Sequence, residues 1–351
     1  MSRDTRTGAK GRRTTSTARR GASAGTAPSA RPSSRRAAQP VTSPPGDGLV
    51  VGTVPPGVPV TGVLLVLAAL VGAASAFPVY LVVGGRELSS VQGFGGALVA
   101  LLVPAVHLAV GVVLVRRAVP KFGLAYAGVA GALALGLLLI EIYRGSSSTS
   151  RPGVEVLAGQ RVLTSGVEAG PGWVLGVVAL GLTVLAGVVA MVSWGRTVMD
   201  DGGALDPLRS SLAGAAVLLG VTTVLCLSLP AADVPDQLVL DPSTGLETVV
   251  TQEGPQALLE RPGLALMGGL LLAGAVVLCS VIAPSLRPRL AAVGGLLAVA
   301  VAVLGAALAG LRDAVSSDEL EWTVPGAGLL LTGLGYAVLT ALAWRLRRGR
   351  T

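Results

Sequence analysis

The run LAAVGGLLAVAVAVLGAALAGL, Leu290 to Leu311, holds twenty-two residues without one charged, amide or hydroxyl side chain. A helix rises about 1.5 Å per residue, so this run is long enough to cross the ~30 Å hydrocarbon core of a bilayer. Backbone groups in lipid must satisfy one another, which leaves helices and closed barrels, and a continuous apolar run without polar alternation selects the helix. The same reading extends in both directions from this run. Apolar windows occur at Val60 to Val83, Phe94 to Val115, Gly123 to Ile142, Trp173 to Trp194, Leu212 to Leu229, Gly263 to Ile282 and Gly326 to Trp344. The expectation is an all-α polytopic membrane protein with eight transmembrane helices.

Composition agrees: of 351 residues, 52% are hydrophobic and only 13% are charged, too apolar for an ordinary soluble domain. The net charge of +8 points to nucleic acid until it is located. Residues 1–59 hold ten Arg/Lys against Asp4 and Asp47, and the rest of the chain balances at seventeen of each sign. The segment is Ser, Thr, Ala, Pro, Gly and Arg without an aromatic residue, so it buries too little apolar surface to offset chain entropy. It is expected to be a disordered basic cytoplasmic tail. Without aromatic stacking platforms nucleic acid is not the expected partner. Anionic inner-leaflet lipid is, at about 1 kcal/mol per Arg near the surface.

The remaining chain divides into a first four-helix membrane half, 60–196, and a second, 197–351. The Arg pairs Arg12-Arg13, Arg19-Arg20 and Arg35-Arg36 lack the bulky apolar followers of an export signal. Ala74-Ser75-Ala76 has the form of a signal-peptidase site, but the apolar run continues through Phe77 to Val83, so an uncleaved helix is expected. Positively charged loops stay cytoplasmic. The tail, Arg116-Arg117-Lys121, Arg196 to Arg209, Arg287-Pro288-Arg289 and the Arg345 to Arg348 end fall on one side, which places both termini in the cytoplasm of a cell-membrane protein. Glu87, Glu155, Glu168, Asp233, Asp236, Asp241, Glu247, Glu253, Glu260, Asp313, Asp318, Glu319 and Glu321 fall on the other, with few Arg.

All four tryptophans sit at span ends: Trp173 and Trp194 on the fourth, Trp322 and Trp344 on the eighth, as interfacial anchors do. Aligning Pro171-Gly172 with Pro325-Gly326 without gaps matches Leu180-Gly181 with Leu334-Gly335 and Val184-Leu185 with Val338-Leu339. This predicts a 4+4 duplication. Four spans return the chain to its starting side, so the repeats would be parallel. Small residues four apart, Gly128, Ala132 and Gly136 in the third span and Gly294, Ala298, Ala302, Ala306 and Gly310 in the seventh, predict close helix packing.

Chemistry-bearing residues are few. His107, the sole histidine, lies three residues after Pro104 inside the second span, and an ionisable residue at membrane depth is by default a candidate functional residue. No Asp, Glu, Lys or Arg stands mid-span to partner it, so a neutral imidazole bonded to a carbonyl or hydroxyl is the competing expectation. Glu141 and Arg144, three apart, predict an interfacial ion pair. Thr222, Thr223 and Ser228 either bond between helices or back-bond to their own. Gln237 to Leu240 and Leu246 to Thr251 flank Asp241-Pro242-Ser243-Thr244-Gly245 and predict a short hairpin. Cys226 and Cys279 lie in apolar runs, against a disulfide or thiolate metal site. No nucleotide loop, zinc-protease helix or nucleophile elbow occurs. The expectation is no catalytic, cofactor-binding or metal residue, and His107 as the single candidate.

Lys10 and Lys121 are the only lysines, and this bias to Arg with the Ala, Gly, Val and Leu richness resembles membrane proteins of high-GC actinobacteria. The resemblance is compositional and carries no site over. Without mid-membrane charge, the leading functional expectation is a noncatalytic assembly or interaction component of the cell envelope with a membrane-protein partner. The alternative is a small-molecule or lipid transporter with His107 near the substrate path, which predicts a polar cavity between the halves. A membrane enzyme, ranked last, would need acidic or His groups converging at one surface.

Overall fold

The computed structural model describes residues 49–83, 86–89, 91, 93–146, 154–157, 160–163, 167–201, 206–233, 237–240, 247–250, 257–258, 263–316 and 321–345. The expected tail lies outside them up to residue 48. Eight helices are long and apolar enough to cross a membrane: α1 (Gly57–Ser75), α2 (Gly93–Val115), α3 (Pro120–Ser146), α4 (Pro171–Trp194), α5 (Asp206–Leu227), α6 (Leu264–Ile282), α7 (Arg289–Ser316) and α8 (Val324–Arg345). The chain is an all-α, multi-pass membrane protein.

Helix limits follow local chemistry. α1 stops at Ser75, short of the expected Val83, because Pro78 cannot donate into the helix and drives Phe77 out of the helical region; Val79–Val83 is instead a strand. At the end of α2 the Arg117 N–H bonds Leu114 O and the Ala118 N–H bonds Val113 O, with Arg117 at φ 55°. This is the double-bonded left-handed cap that closes a helix sharply, and it turns the chain into α3 within four residues. Pro171 opens α4 where a missing N–H costs nothing.

α3 and α7 form the centre. Two thirds or more of their spanning windows are buried, 67% and 72%, against 17% to 39% for the other six. α3 packs on α4, α6 and α7; α7 also packs on α8 and α2; α1 lies beside α2 and α4, and α5 beside α6 and α8. Outward faces are apolar, with Leu185, Met191, Leu218, Leu225 and Leu331 all more than half exposed, as contact with lipid tails requires.

Close crossings rest on paired glycines. A Cβ on Gly136 would stand 2.7 Å from Gly268 O where α3 meets α6, and one on Gly131 would stand 2.7 Å from the Gly187 Cα where α3 meets α4. Of the stripe expected on α3, Gly136 makes such a contact while a Cβ at Gly128 would meet nothing within 4 Å. The α3–α4 crossing uses Gly131, which the four-residue spacing passed over.

Short antiparallel strands tie the helix ends. Leu49–Val51, ahead of α1, pairs with Met199–Asp201 after α4. At the opposite end Val79–Val83 pairs with both Arg86–Ser89 and Val167–Ala169, and Ala232–Asp233 pairs with Glu321–Trp322. In the last two pairings Val82 faces Glu168 and Ala232 faces Trp322; Glu168 and Trp322 are 154 positions apart, as are Pro171 and Pro325, whereas Val82 and Ala232 are 150 apart. Val154–Leu157 with Gln160–Leu163, and Gln237–Leu240 with Glu247–Val250, form hairpins. The second is the hairpin read from the sequence; its turn lies outside the described residues.

The two ends differ in charge among the described residues. Arg116, Arg117, Lys121, Arg196, Arg209, Arg287, Arg289 and Arg345 gather at the end that holds Leu49–Val51, with Asp200 and Asp201 among them, while Glu87, Glu168, Asp233, Asp313 and Glu321 stand at the other with Arg86, Arg144 and Arg312. At the basic end the Lys121 ammonium lies 5.5 Å from the Trp194 ring, and Arg209 donates to the carbonyls of Pro284, Ser285 and Leu286.

Candidate functional site

The candidate site is a cavity of about 410 Å³ to whose wall all eight helices contribute. It exists because small residues oppose small residues: Ala68 and Gly72 of α1, Ala130 and Ala134 of α3, Gly176 and Ala179 of α4, and Ala298, Ala302 and Ala306 of α7 all line it. The α7 stripe is thus divided. Gly294 packs against the Phe122 carbonyl, whereas the alanines above it leave room. From Tyr126 to Glu141 the cavity follows α3 for fifteen residues, about 22 Å at helical rise.

Its inner end is built by α2 and α3. Ala100, Val103, Pro104 and His107 recur at helical spacing on one face of α2, and the proline has no N–H to give the Ala100 carbonyl. His107 is buried at 6% exposure. Its Nδ1 lies 2.9 Å from Val103 O and 3.2 Å from Tyr126 Oη. The two rings meet edge to face, 5.5 Å between centroids at 81°. Carbonyl and hydroxyl contacts are those expected of a structural histidine; the same imidazole nonetheless lines the cavity. The sequence reading anticipates a carbonyl or hydroxyl partner for the imidazole; the structure supplies both, and Tyr126 is the hydroxyl. The available signal was a tyrosine inside an apolar span, whose hydroxyl must find a partner when buried. Toward the basic end from this pair, Leu114, Leu124 and Val58 are fully buried.

Glu141 and Tyr80 stand at the outer end. Glu141 makes the expected ion pair, 3.6 Å to Arg144, and its backbone carbonyl accepts from Trp173 Nε1 at 2.8 Å. The pair is therefore interfacial, as read, but one partner also lines the cavity. Between the ends the wall is chemically apolar. Thr183 donates to Ala179 O, Thr223 to Leu219 O and Ser75 to Gly72 O, so these hydroxyls are engaged by their own helices. Thr222 and Ser228 back-bond likewise.

A second polar node lies apart from the cavity. Ser280 Oγ lies 2.6 Å from both Val276 O and Tyr336 Oη, and Tyr336 Oη lies 3.2 Å from Ala216 O, so two hydroxyl protons serve three contacts. It joins α5, α6 and α8. Cys226 and Cys279 are free thiols. Among the described residues no three His, Cys, Asp or Glu side chains gather as a metal ion would require. No protein-family model, curated protein or solved structure matches the chain.

Proposed function

We propose that this protein binds an apolar or amphipathic small molecule within the membrane and carries it as a permease, rather than acting as an enzyme or only as an assembly component. The cavity supports this reading, but its wall is apolar between the ends where the transporter expectation called for a polar cavity, so the cargo is read as apolar or amphipathic. Its volume falls within the ~300–1,000 Å³ typical of small-molecule sites. Water is a poor occupant of its middle, where the hydroxyls are already engaged and a buried water needs two to four polar partners. An apolar occupant fits the Ala, Gly, Leu and Val walls.

The two halves are read as a parallel duplication. The placement of the two strand pairs, each joining the segment after a half's first helix to the segment before its fourth, and the parallel roles of α3 and α7 at the centre, support it. Both halves contribute to the wall of the cavity, the first through Ala68 to Thr183 and the second through Thr223 to Leu329. The basic end is read as cytoplasmic, by charge, with both termini there and the tail's Arg residues on anionic lipid.

The test is to purify the full chain, extract its bound molecules and identify them by mass spectrometry. One species should be enriched over the surrounding lipid in wild type and lost in Ala302→Phe, which fills the cavity. Identical extracts from the two proteins would sink the binding reading. Transport and growth comparisons of wild type, deletion and Ala302→Phe strains at matched abundance then separate carriage from storage.

A further inference from the structure

The inner end of the cavity carries a hydrogen-bonding pattern that its neighbours dictate. A carbonyl oxygen can only accept, so the 2.9 Å contact between His107 Nδ1 and Val103 O requires the proton on Nδ1. The other tautomer would set two lone pairs against each other at that distance. Tyr126 Oη, at 3.2 Å, shares the same proton more weakly, and its edge-to-face contact holds the ring. The neutral imidazole therefore has its open lone pair on Nε2. That nitrogen makes no hydrogen bond among the described residues, and its ring lines the cavity. Ala100, whose carbonyl receives nothing from Pro104, lines the same face of α2. The inner end thus presents the Nε2 acceptor and, because Tyr126 Oη accepts from Nδ1, the Tyr126 hydroxyl proton as a donor beside it, a pair that a hydroxyl can answer at once.

We propose that His107 Nε2 is the specificity-determining acceptor for a hydroxyl or amine N–H at the leading end of an elongated apolar molecule, the class of a long-chain alcohol or amine. The proposal rests on the reading of this cavity as a binding site. A donor-tipped chain places its polar tip at His107 and its apolar length against Ala130, Ala134, Ala298 and Ala302, about 22 Å being available along α3. A chain ending in an ether or a methyl group leaves Nε2 unpaired, the arrangement by which a polar site rejects an isostere lacking the donor.

The experiment uses the full chain in lipid nanodiscs and two photoreactive probes, a diazirine-bearing dodecanol and its methyl ether. Labelled peptides are quantified by mass spectrometry. In wild type the alcohol should label α2, α3 and α7 about three- to tenfold more than the ether, the range one net hydrogen bond supplies. His107→Leu should erase that preference, and His107→Gln, which retains a hydrogen-bonding end, should restore part of it. Ala302→Phe should lose both labels. Equal labelling of the wild-type cavity by alcohol and ether, as a trapped water on Nε2 would produce, overturns this inference and leaves the cavity a binding site. No cavity label from either probe overturns the binding reading and this inference together. The wild-type comparison stands even where His107→Leu fails to fold.

Discussion

Two tyrosines, Tyr126 and Tyr336, are both fully buried at membrane depth, yet they sit in opposite surroundings. Around Tyr336 the groups close on themselves: its hydroxyl, the Ser280 hydroxyl and the carbonyls of Val276 and Ala216 leave no open donor, and Gly220 leaves no space, since a Cβ there would stand 2.6 Å from Ser280 Oγ. Around Tyr126 the partner is an imidazole with a nitrogen to spare, beside a cavity. A buried hydroxyl must be satisfied in both places. Where neighbours complete the network the node is an attachment, and it holds α5, the least buried helix, to α6 and α8. Where one valence is left over next to empty volume, the node is a site.

Overpacking should break the comparison most visibly. Ser280→Leu forces added carbons into the closed node and is expected to cost about 3 kcal/mol or more, read as loss of the monodisperse folded fraction on size exclusion and a lower thermal midpoint. Ala302→Leu adds bulk to the cavity and should leave that midpoint unchanged or higher. Equal damage from both substitutions would mean that the cavity wall is as tightly packed as the node.

A smaller effect separates the tyrosines themselves. Tyr336→Phe removes the donor to Ala216 O and should lower stability by about 0.5–1.5 kcal/mol. Tyr126→Phe should cost less, because the short bond from His107 Nδ1 to Val103 O survives it. Reversed magnitudes in unfolding of the purified variants would show the cavity node to be the structural one. The smallest effect is expected from Arg144→Gln. Its side chain is 46% exposed and its guanidinium lies 3.6 Å from Glu141, so the midpoint should shift by no more than about 0.5 kcal/mol's worth. A larger loss would tie the mouth of the cavity to the stability of the fold.

Much of the architecture was legible along the chain. Span number, the tryptophan positions, the Gln237–Leu240 hairpin and the Glu141–Arg144 pair each follow from a local pattern. The exception at the end of α1 is also local: Pro78 was visible, but the apolar residues around it were read as one run. The site was less legible. His107 stood out by type, whereas Tyr126 did not, because a tyrosine is common enough in apolar segments to pass as packing.

Apolar length by itself determined that this protein crosses a membrane eight times, because a bilayer tests only whether a run is long and apolar enough. Which small residues touch and which stand apart was decided by tertiary structure alone. Gly136 and Ala302 are alike in sequence, each one of a series of small residues four apart; one lets a helix approach and the other faces open space. The difference lies in how each helix is rotated against its neighbours, and that rotation is set by all the contacts of the bundle together.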